Sequence, residues 1–115
     1  MPHDTPPARG LLPALFAAAL LFSTCAGAAC VLPAPPSHVP DGRSANEQEM
    51  LAAEHIFKQY NDDVDEYTKC LEFEGRRNLI TFDEQVKYRS AALATLAAVV
   101  GHFNEQVRIF RARHS

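Results

Sequence analysis

Tryptophan is absent from this chain, and glycine is scarce, with 5 among 115 residues. The few glycines form no loop of the kind that cradles phosphate groups. A basic surplus is also missing: 11 Lys and Arg stand against 14 Asp and Glu, for a formal net charge of -3. That balance argues against a dedicated nucleic-acid binder. The three cysteines contain no Cys-x-x-Cys pair, which removes the common thiol redox motif. No serine lies in a strand–turn–helix context resembling a nucleophile elbow. Collagen-like periodicity is lacking despite 8 prolines. These absences point away from an enzyme and from a bound cofactor.

What remains is enough for one small domain. Met1 to Gly10 holds a single arginine, Arg9, and is followed by the apolar run Leu11–Phe22 and small residues from Ser23 to Ala29. Ala26-Gly27-Ala28 fits the small-x-small rule, so residues 1–28 read as a signal peptide and helix that leaves the fold on export. Two alternatives put the chain on a membrane. Leu11–Leu32 is long enough to span a bilayer if it stays uncut, although Pro13 and the small-residue tail oppose that. Acylation at Cys30 would make a lipoprotein, yet Gly27 stands where a lipobox wants a large aliphatic residue. The expected location is the periplasm or the outside of the cell.

Cleavage after Ala28 removes Cys25 and leaves Cys30 and Cys70. An even number in an exported chain reads as a disulfide.

Residues 29–43 form an arm. Pro33, Pro35, Pro36 and Pro40 forbid a helix, so the segment is expected to be extended, with a turn at Pro40-Asp41-Gly42. Residues 44–115 are expected to form a helical hairpin, with helices over about 45–74 and 82–112. Ser44 and Glu47 are read as the first capping box, and Thr81 and Glu84 as the second. Met50, Ala53, Phe57, Tyr60, Val64, Tyr67 and Leu71 repeat at alternating steps of three and four, an unbroken seam. Gly75 is the expected stop. In the second helix the expected seam is Val86, Leu93, Leu96, Val100, Phe103, Val107 and Phe110, with Arg89 interrupting it. Alanines keep its middle slim, and Gly101 is taken as a mark of tight packing. The predicted fold class is all-α: an antiparallel, coiled-coil-like two-helix hairpin carrying an extended proline-rich arm. The first helix is acidic and the second more basic, which favours their pairing.

The arm and the disulfide are linked by length. From Cys30 to Ser44 the arm spans roughly 43 Å as polyproline II. From Ser44 to Cys70 the helix spans roughly 39 Å. The arm therefore folds back along the first helix and brings Cys30 to Cys70, with proline rings near Tyr60 and Tyr67.

Cys30-x-x-Pro33, Pro40-Asp41-Gly42, Met50, Tyr67-Thr68-Lys69-Cys70-Leu71 and Phe103-Asn104-Glu105-Gln106-Val107-Arg108-x-Phe110 form a set of motifs. As a set they resemble a group of small exported proteins of Gram-negative bacteria with no assigned function. The resemblance implies export and two structural cysteines, and it carries no catalytic or binding residue.

Candidate sites from chemistry alone are few. Asp62 and Glu66 share a helical face on which two carboxylates could bridge a cation, but no loop supplies the further oxygens calcium needs. Otherwise that stripe is a solvated face. If Leu71 pairs near Val86, then His55 lies level with His102, a two-ligand arrangement short of a metal site. Ile56, Phe73, Val99 and Ile109 fall outside the seams and are expected to face the arm, a second copy or a partner protein. The functional expectation is a non-catalytic interaction or structural module of the cell envelope, acting on an unknown protein partner or as a homodimer. The rival reading is a small metal- or ligand-binding envelope protein.

Overall fold

The computed structural model describes residues 29–115. The expected signal peptide lies outside them. Two helices follow the arm, α1 (Glu47–Arg76) and α2 (Phe82–Arg113), and no strand occurs among the described residues. They pack against each other as a hairpin.

The first cap differs from the sequence expectation. Ser44 and Ala45 are held outside the helix because both their amides donate to the Asp41 carbonyl, at 3.1 and 2.8 Å. The Arg43 amide donates to the Asp41 carboxylate at 2.9 Å, which tightens the same turn. Ala45 is thereby buried. The helix begins two residues later, where Asn46 accepts from the Glu49 amide and Glu49 accepts from the Asn46 amide, each at 2.8 Å. This is the reciprocal box expected of Ser44 and Glu47, moved along by the turn.

Gly75 does not end α1. The helix runs one residue further, and Asn78 takes the left-handed position at φ 57°. The Leu79 amide donates to the Glu74 carbonyl at 2.9 Å and the Asn78 amide to the Gly75 carbonyl at 3.1 Å. That pair of bonds is the Schellman arrangement, and asparagine tolerates the left-handed backbone better than most residues. Gly75 serves packing instead. A Cβ there would lie 2.2 Å from Oε1 of Gln85, whose side chain crosses from α2. Thr81 caps α2 by accepting from the Glu84 amide at 3.1 Å, but Glu84 makes no return bond, so only half of the expected box forms.

Every seam residue expected in α1 is buried: Met50, Ala53, Phe57, Tyr60, Val64, Tyr67 and Leu71. In α2 the phase is different. Ala92 is 2% exposed while Val86 and Leu93 are 46% and 41% exposed. The seam of its first half runs through Ala92, Leu96 and Val99, then meets the expected line at Phe103. Val99, expected outside, joins both parts of the core. The rings of Phe57 and Phe103 stack between the helices, centroids 4.5 Å apart and nearly parallel at 6°.

Charge contributes less to the pairing than the sequence suggests. Between the two helices, Arg89 to Glu72 at 3.8 Å is the one ion pair among the described residues. The others lie within a helix, Lys69 with Asp65 and Glu66, and Arg108 with Glu105. Exposed pairs of this kind add little stability, so the apolar seam sets the register. Gly101 also departs from expectation: nothing lies within 4 Å of a Cβ placed there.

The arm lies antiparallel along α1. Val31 and Pro33 share a cleft with Tyr67 and Cys70. Ala34 and Pro36 share the next with Ile56 and Tyr60. Pro36 to Asp41 then runs beside Ala45, Ala53 and Ile56. Cys30 is bonded to Cys70, with Cα atoms 5.7 Å apart.

Candidate functional site

Each end of the hairpin is tied to the arm by different chemistry. At the closed end stand the disulfide and Glu74. Glu74 is buried, and its Oε1 accepts the Cys30 amide at 3.2 Å. At the open end, the Gly42 amide donates to Oε1 of Gln106 at 2.9 Å. Arg113 donates to the carbonyls of Arg43 and Ala45. Its guanidinium also lies 5.5 Å from the centre of the Phe110 ring. The geometry at Gly42 is tight, because a Cβ would meet the Gln106 carbonyl oxygen at 2.1 Å. Backbone on backbone leaves no flexible atom to yield.

The residues singled out as cation ligands are not assembled into a site. His55 and His102 open onto different clefts, His55 beside Ala34 and Pro36, His102 beside Val39 and Arg43. Asp62 and Glu66 are exposed. Glu66 faces Lys69 at 3.8 Å, and Asp65 holds the same ammonium at 2.8 Å. The hydrogen bond from Lys69 to Asp65 and the two nearby carboxylates hold the lysine pKa above its ordinary value. The only grouping of three ligand-type atoms among the described residues is Cys30, Cys70 and Glu74. Both sulfurs there are joined to each other, so neither offers a thiolate to a metal. No nucleophile remains at Cys70 for the same reason.

The clefts divide by side. Those beside the arm include one of about 590 Å³, between Pro36–Asp41 and the first turns of α1. A further cleft of about 380 Å³ contains no arm residue. It lies between the helices at their open end, lined by Met50, Leu51, Phe103, Val107 and Phe110, with Glu47, Glu54 and Arg111 at its edge. The arm thus fills one groove of the hairpin and leaves the opposite groove open.

Along that open side α2 carries an apolar stripe. Phe82 is 76% exposed, Val86 and Leu93 are a little under half exposed, and Ala97 is exposed between them and half-buried Val100. Their spacing of three, four and seven residues places them on one face. Sequence spacing alone places Val86 and Leu93 in the seam, and the structure turns both outwards. The signal for the correct phase was present, because Ala92, Leu96, Val99 and Phe103 repeat at four, three and four. It was obscured because alanine carries little weight as a core residue in a pattern of larger apolar groups.

Among the described residues no helix is long and apolar enough to cross a membrane. No family model matches the chain, and no curated protein and no solved structure matches it.

Proposed function

We propose that the chain is an exported, non-catalytic interaction module of the cell envelope that presents the open face of a braced helical hairpin. The observation carrying this reading is the asymmetry of the two grooves. The protein closes one with its own arm and leaves the other open, beside an α2 face that exposes Phe82, Val86, Leu93 and Ala97. Large apolar side chains aligned on one exposed face mark a surface for a protein partner.

Export is supported by the disulfide, which is stable where thiols are oxidised. It also bears on membrane attachment. A sulfur bonded to Cys70 cannot carry a thioether-linked lipid, so lipidation of Cys30 and the observed bridge exclude one another. Intact mass of the protein from its own host separates these states. A mass beginning at Ala29 that gains two hydrogens on reduction supports the module. A lipid adduct on Cys30 overturns it in favour of an anchored protein.

The interaction itself is tested with a photoreactive phenylalanine placed at position 82, 93 or 58 in living cells. Positions 82 and 93 lie on the open face, while Lys58 is on the exposed outside of α1. Protein adducts from 82 and 93 and none from 58 support the reading. Adducts from none of them, or equally from all, overturn it.

A further inference from the structure

The open face has two distinctive ends. At one end Phe82 projects as its most exposed aromatic residue. At the other is the apolar cleft of Met50, Leu51, Phe103, Val107 and Phe110. Phe82 and Val107 are about 37 Å apart along α2 at 1.5 Å per residue. A projection and a recess on one surface, separated by a fixed distance, satisfy each other when a second copy is turned about a twofold axis between them. The midpoint of that span falls at Ala94 and Thr95, both exposed.

We propose that a second copy of this chain occupies the open face, with α2 running antiparallel to its counterpart and Phe82 of each copy seated in the cleft of the other. This rests on the interaction reading above and names the occupant.

Charge selects the same arrangement. α2 begins with Asp83 and Glu84 and ends with Arg111 and Arg113. Antiparallel self-pairing brings Asp83 of one copy towards Arg111 at the other's cleft, while Arg113 stays with the arm. It also opposes the two helix dipoles. Parallel pairing would instead place like charges together at both ends. Arg111 stands at the edge of the cleft that receives Phe82, where it meets the arriving Asp83. Small residues surround the midpoint, with Ser90, Ala94 and Ala97 all exposed, so the two backbones can approach closely there. The product is a four-helix arrangement in which the two arms remain on the outer sides.

Sedimentation equilibrium of the oxidised chain as exported, beginning at Ala29, tests this, compared with Phe82→Glu and Leu51→Glu. Phe82 and Leu51 are both exposed in the single copy, so helix content by circular dichroism is expected to be unchanged. The expected result is twice the chain mass for the unaltered protein. Each variant should weaken the dimer by about 100-fold or more, because two buried apolar side chains are lost per dimer. A chain that stays single at millimolar concentration overturns the proposal. So does a dimer that both variants leave intact. If Phe82→Glu lowers helix content, Leu51→Glu alone decides, together with the photoreactive residue at position 82. That residue should label Leu51, Val107 or Arg111 of a second copy. Labelling of a different protein alone overturns the self-association and leaves the interaction module standing. Labelling of nothing removes both.

Discussion

Single residues in this protein carry meaning that their type alone does not disclose. Gly42 and Gly101 illustrate this. Both are glycines at the α2 side of the molecule, and only one needs to be. A Cβ at Gly101 meets nothing, so glycine there contributes only backbone freedom in the middle of a helix. Gly101→Ala is expected to stabilise the fold by about 1 kcal/mol in urea unfolding. The tyrosines offer a second residue-scale outcome. Burial raises the pKa of Tyr60 and of Tyr67, and the Tyr88 hydroxyl and the Glu74 carboxylate raise Tyr67 further. The unfolded chain therefore releases these protons first as pH rises. Their contribution is complete below pH about 10 and is lost as the pH climbs through the folded values. Stability measured by urea should fall above pH 10, and Tyr67→Phe should flatten that fall. A slope unchanged by Tyr67→Phe would remove this tyrosine as its cause.

At the scale of elements, legibility followed the size of the side chains. α1 was readable to within two residues because its seam is built from Met, Phe, Tyr, Val and Leu. Its cap was misplaced because Asp41 captures the Ser44 and Ala45 amides, a choice made by a turn that leaves little trace in pattern. α2 was readable in extent and wrong in phase, since its inner line passes through Ala92 and half-buried Val99 while Val86 and Leu93, both larger than Ala92, face outwards. That same error hid the open face, so the candidate site was the least legible part of the sequence. The arm was legible through arithmetic: proline spacing made it extended, and its length matched the helix it lies on. What length could not show is how the arm joins α2 at Gly42. Gly42→Ala would drive a Cβ into the α2 backbone. Loss of about 1–3 kcal/mol is expected by chemical denaturation, opposite in sign to Gly101→Ala. A neutral result would mean the turn can shift away from α2.

As a whole molecule the protein is a slim structure whose core is shared between two helices and a strap. Small cores of this kind depend on covalent bracing. The Cys30–Cys70 bridge has a sequence separation of 40 and closes arm and α1 into one ring. In the chain-entropy treatment such a ring stabilises by about 4 kcal/mol. Reduction, or replacement of both cysteines by serine, should lower the denaturation midpoint sharply. Hydrogen exchange should rise first in the arm and the hairpin turn, where Glu74 would lose its ordered partner at Cys30. Equal protection in both redox states would show that packing alone holds the arm.

The same ring fixes how the molecule would answer a pull. Cys30 and Cys70 lie at the turn end of the hairpin, while Arg113 lies at the far end beside Arg43. Tension entering at residue 30 and leaving at residue 113 crosses the sulfur bridge and passes through the turn into α2. The arm and most of α1 bear none of it. The load then runs along α2 itself, so that helix must stretch before its interface with α1 is lost. With the bridge reduced, the force would run the length of the arm before reaching α1. Oxidation thus takes the strap out of the line of force.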